Sequence, residues 1–585
     1  MSQARRASGS RKSQGQMSLS FSGRGGARKQ GKAPRRAAAA GRRKPEPEPD
    51  PQEPAAEAAA PRRKAPRKRR AETATSLGAR QREISVSEFF AKNRHLLGFD
   101  NPAKALLTTI KEAVDNALDA CEEAGLLPEI VVTIGQLGES RFRVCVQDNG
   151  PGIVRAQVPK IFGKLLYGSK FHRLRQSRGQ QGIGISAAGM YGQMTTGKGV
   201  RIISRTGPRK PAHEFLVQVD TRRNEPKILR DETMDWEVER GTLVEIELEG
   251  TYRQGRRSVD DYLAQTAVAN PHAAIRYRNP KGETIVYERQ TKDLPAEAAE
   301  IQPHPHGIEL GTLMHMLHET RARNLRGALQ ADFSRVSGKV ADEILEKAGL
   351  QGKARPSRIA SQEAEKLYQA IRQVKIMNPP TSCLSPIGEE VILKGLTARF
   401  PADFHTAVTR PPAVYRGNPF QVEVGLAYGG GLPADELADV YRLANRVPLL
   451  YQQGACAITK AVVGTAWKNY TLTQSRGALP TGPLAIVVHI ASVWVPFTSE
   501  SKEAIASYPE IIKEIRLGLQ ECGRKLGIFL RRRRRVADEE KKRSYIDRFI
   551  PHIGDALQEI LGLTKAQRER AVSNLDDVLT RSRKL

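Results

Sequence analysis

Hydrophobic and polar positions follow two different periods along the chain from about residue 85. Residues 106–125 (LLTTIKEAVDNALDACEEAG) repeat apolar side chains every three or four positions, in a stripe through Ile110, Val114, Ala117, Leu118 and Cys121. This spacing predicts an amphipathic helix. Alternating or continuous apolar segments predict strands at 129–137, 141–150, 200–207, 213–220 and 242–250. The pattern therefore indicates a mixed α/β domain over residues 85–302.

The pattern changes twice after this domain. Residues 303–385 are helical with glycine breaks, which predicts a small helical domain. Strands return within 386–545, and an apolar stripe from Ile511 to Phe529 then predicts a long helix that ends in the five arginines Arg531–Arg535. Residues 546–585 form a short C-terminal segment.

The first 84 residues have a different composition. They are rich in Ala, Arg, Lys, Pro, Gly and Ser, and residues 1–70 hold 20 Lys and Arg against 5 Asp and Glu. Such a segment cannot bury enough apolar surface to offset the cost of ordering its backbone, so we expect a disordered basic tail. The net charge of the whole chain is +30, which favours a polyanion partner, with nucleic acid the first candidate. A protein whose basic arm is simply solvated is the alternative.

Cysteine spacing and hydropathy exclude several classes of protein. The five cysteines lie far apart without a CxxC pair, which is typical of a reducing compartment and argues against a disulfide framework or a zinc site. No apolar run reaches the roughly 18–20 residues of a membrane span, and the basic N-terminus lacks the apolar stretch of a secretion signal. We therefore expect a cytoplasmic, nucleoid-associated protein without a membrane contact.

Candidate chemistry appears first on the polar side of the predicted helix 106–125. Glu112, Asn116 and Asp119 are spaced so that they share one face, although an ordinary exposed helix face would give the same pattern. The strand at 141–150 runs into QDNGPGI, which places Asp148 at its end. A glycine-rich segment, RGQQGIGIS, follows at 178–186, and a later strand opens with GTLVEI.

These four pieces, in this order, resemble the Bergerat-fold (GHKL) ATPases, a superfamily that includes gyrase-type topoisomerases, heat-shock chaperones, histidine kinases and mismatch-repair ATPases. The resemblance implies ATP and Mg²⁺. Glu112 would be the base that activates water, and the Asn116 carbonyl would be a ligand of Mg²⁺. Asp148 would accept a hydrogen bond from the adenine amine, supported by Thr242.

The same resemblance implies how phosphate is held. The glycine segment would form a lid whose backbone N–H groups surround the phosphates; its predicted ATP-binding residues are Arg178, Gly179, Gln180, Gln181, Gly182, Ile183, Gly184 and Ile185. Ser169 and Lys170 would add further nucleotide contacts. A P-loop at 192–199 is the alternative, but Gly199 stands where Ser or Thr must bind Mg²⁺. We expect that segment to be a turn.

Four further stretches, 379–390, 414–430, 444–462 and 495–506, resemble the B subunits of topoisomerase VI, and the likeness spans about residues 85–560. It implies an α+β multidomain fold. The expected parts are the tail (1–84), the Bergerat-fold ATPase domain (85–302), a helix-two-turns-helix domain (303–385), a transducer domain of ribosomal S5-like α/β fold with a long C-terminal helix (386–545), and a possible A-subunit contact (546–585).

The function implied by this resemblance is that of the ATPase subunit of a type IIB topoisomerase. ATP would dimerise two B subunits in an A₂B₂ heterotetramer, and the complex would pass one DNA duplex through another and relax supercoils. Lys468, in AWKNY, would reach the γ-phosphate, and Arg531, Arg532, Arg533, Arg534 and Arg535 would bind double-stranded DNA.

Cleavage would belong to the A subunit, since this sequence shows no acidic metal-binding cluster and no nucleophilic-tyrosine domain. Two other functions remain open at this point. One is a non-catalytic, topoisomerase-like DNA-binding scaffold, and the other is a different Bergerat-fold ATPase.

Overall fold

The computed structural model describes residues 85–168, 173–179, 182–499 and 501–582, together with Ala74. The predicted disordered tail lies outside the described residues apart from Ala74. Within the described part, two large sheets and a helical region build the fold.

The first sheet has eight strands in the order β5-β4-β3-β6-β2-β1-β7-β8, in which only the pair β1 and β7 is parallel. Its strands are β1 (Glu129–Gln136), β2 (Arg141–Gln147), β3 (Val200–Arg205), β4 (Ala212–Asp220), β5 (Glu225–Met234), β6 (Gly241–Glu249), β7 (Ala274–Arg278) and β8 (Thr284–Tyr287). The helices of this region are α1 (Val86–Lys92), α2 (Pro102–Glu123), α3 (Val158–Gly163), α4 (Gly184–Thr196) and α5 (Val259–Ala269).

Helix α2 carries the apolar stripe that the sequence predicts. Its start is fixed by Asn101, whose side chain accepts a hydrogen bond from the Lys104 N–H, and by Pro102 in the first turn, so it begins four residues before the predicted start. The stripe is buried against the sheet in one hydrophobic core. Residues 192–196 form the last turn of α4, and Gly197 ends that helix with φ of 72°. The predicted turn is therefore confined to residues 197–199.

A separate core lies in the helical region, where residues between Leu313 and Ile376 pack together. Its helices are α6 (Leu310–Glu319), α7 (Leu325–Ala331), α8 (Gly338–Ala348) and α9 (Ser361–Gln373). The apolar side of each helix packs against a neighbouring helix, so the helices bury their apolar surfaces without a sheet.

The second large sheet has the order β10-β11-β16-β12-β13, and β9 also pairs with β11. Its strands are β9 (Phe404–Thr409), β10 (Ala413–Tyr415), β11 (Asn418–Tyr428), β12 (Asp439–Ala444), β13 (Val447–Pro448) and β16 (Leu484–Ser492), with a small separate ribbon of β14 (Thr473–Gln474) and β15 (Pro480–Thr481). Every residue of β16 is buried, because helices cover both faces of the sheet. These helices are α10 (Glu389–Arg399), α11 (Ala457–Val463) and α12 (Pro509–Leu561).

Helix α12 is 53 residues long, and this corrects the sequence prediction. It does not end at the arginines but continues to Leu561, through the predicted boundary at residue 545, and Gly562 with φ of 61° terminates it. Ile511, Ile515, Leu519, Cys522 and Leu526 are at most 1% exposed against the sheet, and the rest of the helix projects beyond this core. A final helix, α13 (Lys565–Ser582), packs back on it.

Candidate functional site

A cavity of about 280 Å³ lies where α2, the start of α4 and the ends of β2 and β6 approach the loop between β16 and α12. Of the predicted site residues, the structure brings the following into its wall: Glu112, Asn116, Asp148, Gly179, Gly182, Ile183, Gly184, Ile185 and Thr242. Ser169, Lys170, Gln180 and Gln181 lie outside the described residues.

Helix α2 supplies the polar wall. Asn116 is exposed although its neighbours Asp115 and Ala117 are buried, and Glu112, one turn earlier, is half-buried. The Glu112 carboxylate lies directly against Gly184, the first residue of α4, where even a methyl group would overlap it. The packing of α2 against α4 thus places a carboxylate beside the positive end of a helix.

Asp148 ends β2 and is held by the backbone. Its Oδ1 accepts hydrogen bonds from the Gly150 N–H at 2.8 Å and from the Thr242 N–H at 3.1 Å. Burial raises the pKa of Asp148 to about 6, and these two hydrogen bonds oppose that rise. Gly241, with φ of 138°, lies so close to the Asp148 carbonyl that a side chain would not fit. Oδ2 of Asp148 has no hydrogen-bond partner among the described residues.

The lid residues end in helix α4. Gly182 has φ of 58°, a conformation that favours glycine, and it turns the chain into the helix. Ile183 caps α4 without a side-chain hydrogen bond. The first backbone N–H groups of α4 therefore have no side-chain acceptor from the cap and are available to an anion.

Arg178 was predicted to bind ATP as part of the lid, and the structure shows that its side chain is committed to a buried cluster. The side chain is 3% exposed and is not part of the cavity wall, and its guanidinium nitrogens lie 2.8 Å from Asp119, 2.6 Å from Glu122 and 2.5 Å from Asn270. Although burial lowers it, the pKa of Arg178 is raised overall by Glu122 and Asp119. A guanidinium removed from water needs such partners. Asp119 was predicted on the polar face with Glu112. It is buried because it pairs with the Arg178 guanidinium.

Lys468 was predicted to reach the γ-phosphate, and the structure places it elsewhere. It is exposed on the 3₁₀ turn Trp467–Tyr470, outside the cavity wall. The turn is anchored by Trp467, which is fully buried and donates its Nε1–H to the Val462 carbonyl at 2.8 Å. Because the tryptophan occupies the core, the adjacent lysine faces solvent.

Lys502 lines the cavity, together with Lys104 and Lys111 from α2. Ser501, Lys502 and Glu503, from the loop that links β16 to α12, form part of its wall. Lys502 Nζ donates to the Arg178 carbonyl at 3.3 Å, so the ammonium lies at the root of the lid. The signal is present in the sequence, since residues 495–506 carry the family resemblance, but the sequence alone gives Lys502 no role.

Comparison with known proteins decides the family. Residues 101–249 match the family of histidine kinase-, DNA gyrase B- and HSP90-like ATPases, and residues 379–542 match the topoisomerase VI B subunit transducer. The chain is 51% identical over 492 residues to the B subunit of type 2 DNA topoisomerase 6 from Methanococcoides burtonii, and the match covers 84% of this chain and 79% of that protein. The chain belongs to this family.

Two further relatives agree. The B subunit of type 2 DNA topoisomerase 6 from Archaeoglobus fulgidus is 50% identical over 500 residues, 85% of this chain and 83% of that protein. The one from Pyrococcus abyssi is 40% identical over 529 residues, 82% of this chain and 92% of that protein. The predicted ATPase fold, transducer and long C-terminal helix are confirmed, and so is the prediction of an ATPase subunit of a type 2 DNA topoisomerase.

Among the residues that the structure describes, no helix is both long and apolar enough to cross a membrane.

Proposed function

We propose that this chain binds and hydrolyses ATP in the cavity between α2 and α4 and that it uses the reaction to drive DNA strand passage together with an A subunit. The observation that carries the proposal is that Glu112, Asn116, Asp148 and the uncapped start of α4 line one cavity. Glu112 supplies a base and Asn116 an oxygen ligand for a metal ion. Asp148 supplies a hydrogen-bond acceptor for adenine, and the N–H groups of α4 supply hydrogen-bond donors for phosphate.

In this proposal Glu112 orients and deprotonates the attacking water. Its carboxylate touches Gly184, at the end of α4 where the phosphates would bind, so a water between the two would lie beside the terminal phosphate. The N–H groups of α4 would hold the phosphate oxygens as charge develops on them.

Asp148 would select adenine. A carboxylate accepts a hydrogen bond from the exocyclic amine of the base, and the Oδ2 atom is available because the backbone bonds use Oδ1. The Thr242 N–H supports this role by fixing the carboxylate, which makes the acceptor rigid before ATP arrives.

The cavity wall offers few protein ligands for a metal ion, which fits a magnesium ion that is held chiefly by the nucleotide phosphates. The described residues contain no group of three or more His, Cys, Asp or Glu side chains placed to hold a metal. The exposed Asn116 amide offers a hard oxygen, and Mg²⁺ typically takes one or two protein oxygens together with phosphates and water. When bound, the ion would neutralise charge on the phosphates.

Lys502 replaces Lys468 as the proposed contact to the γ-phosphate. It enters the cavity from the transducer side of the chain, on the loop that leads directly into α12. Hydrolysis would remove the anion that this ammonium binds, so nucleotide state would be passed to the long helix.

The proposed partners are an A subunit in an A₂B₂ complex, double-stranded DNA and, when ATP is bound, a second copy of this chain. Arg531–Arg535 are all exposed on α12. Arg533 pairs with Asp403 at 2.6 Å and Arg534 lies 3.9 Å from Asp538, whereas Arg531, Arg532 and Arg535 have no ion pair among the described residues. Unpaired arginines are suited to DNA phosphates, and such binding weakens steeply with salt.

The end of α12 supports an A-subunit contact. Phe549, Ile553, Ile560 and Leu561 are each at least 42% exposed, which is unusual for a run of large apolar side chains. We propose that the A subunit covers them.

The Glu112→Ala variant tests the assignment of the base. ATP affinity should stay within about threefold of wild type, while turnover should fall by about 10²–10⁴-fold because the water loses its base. The matched control is Glu225→Ala, an exposed glutamate on the edge strand β5, for which both values should be unchanged. Turnover in Glu112→Ala close to wild type would show that another group is the base. ATP binding without turnover in the wild-type complex would favour the non-catalytic alternative.

A further inference from the structure

The loop that carries Lys502 is fixed to the ATPase region by the residue that follows it. Glu503 is 5% exposed, and its Oε1 lies 2.5 Å from the ammonium of Lys104 in the first turn of α2. Lys104 belongs to the wall of the same cavity. The transducer loop therefore meets the helix that also bears Glu112 and Asn116.

Other groups complete this contact. Lys104 is 8% exposed and also pairs with Asp100 at 2.7 Å. Glu503 Oε2 accepts a hydrogen bond from the Gln452 side chain at 2.7 Å, and the Tyr451 ring centroid lies 5.6 Å from the Lys104 ammonium. Although burial lowers it, the pKa of Lys104 is raised overall by Asp100 and Glu503. Lys104 therefore remains a cation in this contact.

Because the Lys104–Glu503 ion pair is buried, it constrains how the loop and α2 are placed relative to each other. Removing two charges from water is costly and is tolerated only where the geometry matches, so a buried ion pair fixes its two elements in one register. A second ion pair, between Arg256 and Asp439 at 2.7 Å, also joins the ATPase and transducer regions. Its side chains are 75% and 36% exposed, so water screens it and it holds the regions weakly.

We infer that Glu503 is a positioning residue. Its ion pair with Lys104 holds the loop where Lys502 reaches the terminal phosphate. The inference rests on the proposed function of Lys502. Adjacent Cα atoms are about 3.8 Å apart, so fixing Glu503 leaves the backbone of Lys502 little freedom. Glu503 itself touches neither the lid nor Glu112 in any hydrogen bond or ion pair of the described residues. Because Glu503 also lies in the cavity wall, the double variant with Lys502→Ala tests whether its effect passes through Lys502.

The test compares Glu503→Gln, Lys502→Ala and the double variant in the full chain assembled with its A subunit, with Asp439→Asn as the matched control. Each of the two amide variants removes one charge from a pair that joins the same two regions. Glu503→Gln should lower kcat for ATP by about 10- to 100-fold, because a small misplacement of a group that acts on the phosphate is costly. Its affinity for ADP, which lacks the terminal phosphate, should stay within about twofold of wild type. Asp439→Asn should leave both values unchanged.

The double variant separates a positioning role from an independent one. If Glu503 acts through Lys502, adding Glu503→Gln to Lys502→Ala should cause no further loss of kcat. Lys104→Gln breaks the same ion pair from the helix side and should reproduce the effect of Glu503→Gln. It provides a second measurement if Glu503→Gln does not fold.

The two proposals fail in different ways. A kcat for Glu503→Gln equal to that for Asp439→Asn, with Lys502→Ala impaired, would overturn the positioning role and leave the role of Lys502 intact. A tenfold loss of ADP affinity in Glu503→Gln, or additive losses in the double variant, would also overturn it. Wild-type kcat in Lys502→Ala would instead overturn the proposed phosphate contact.

Discussion

At the level of single residues, the proposed adenine contact depends on a carboxyl group that must be ionised in a poorly solvated wall. Asp148 is 8% exposed, and burial raises its pKa to about 6. Since the folded protein holds this proton more tightly than the unfolded chain does, the contribution of Asp148 to stability falls as pH rises through 6. The proposed adenine contact requires the ionised state, because only the carboxylate is a pure acceptor.

The affinity for ADP should therefore decrease as pH falls below about 6, by up to tenfold per pH unit once the carboxyl is mostly protonated. Asp148→Asn should bind ADP more weakly and lack this component of the pH dependence. Calorimetric titrations between pH 5 and 8 measure the ADP affinity of both proteins. Titration of the ADP phosphates affects the two proteins equally, so the difference between them reports Asp148. Identical pH profiles for the two proteins would contradict the role of Asp148.

Spacing predicts that Glu112 and Asn116 share one face of a helix and that Asp148 ends a strand. The resemblance to the ATPase superfamily joins these residues and Thr242 into one predicted site, and all four lie in the cavity wall. Neither spacing nor the resemblance predicts where the side chains of Arg178 and Lys468 lie. The first belongs to a buried cluster with Asp119 and Glu122, and the second sits beside a buried tryptophan. Both outcomes depend on tertiary packing that no local pattern encodes.

At the scale of elements, the start of α4 is packed against α2 without room for a side chain. Gly184 lies against the Glu112 carboxylate, and the N–H groups that follow are those proposed to bind phosphate. The close approach of these two helices would therefore couple the proposed base to the proposed phosphate site.

Gly184→Ala should displace Glu112 and lower turnover by about tenfold or more, because the added methyl group occupies the place of the carboxylate. Gly311→Ala is the matched control: this glycine lies in helix α6 with open space around it, so alanine should raise the free energy of unfolding by about 0.5–1 kcal/mol. Steady-state ATP hydrolysis and thermal unfolding measure the two effects. Unchanged turnover in Gly184→Ala would mean that Glu112 tolerates displacement.

Elements with strong periodicity are predictable from the sequence and weakly patterned ones are not. β5 lacks alternation because nearly all its residues are exposed at the sheet edge, so the hydrophobic pattern does not predict it. The helix α12 is expected from its stripe to stop at Arg535, since a charged run has no apolar stripe, yet it continues because arginine is a good helix former.

At the scale of the whole molecule, one cavity is shared by the ATPase and transducer regions. The helix α2 contributes Glu112 and Asn116, and the loop before α12 contributes Lys502. α12 then runs for 53 residues toward the exposed apolar side chains at its end. In the proposed mechanism, a change at the terminal phosphate would pass through Lys502 and α12 to the proposed A-subunit contact.

Relaxation of supercoiled plasmid by the full chain, assembled with a tyrosine-bearing A subunit, tests whether ATP hydrolysis at this site drives strand passage. We expect relaxation with ATP and Mg²⁺, none when either is left out, and none with this chain alone. The complex that carries Glu112→Ala should bind ATP yet relax DNA at least about 100-fold more slowly. Relaxation at the wild-type rate by the Glu112→Ala complex, or without ATP, would contradict the account.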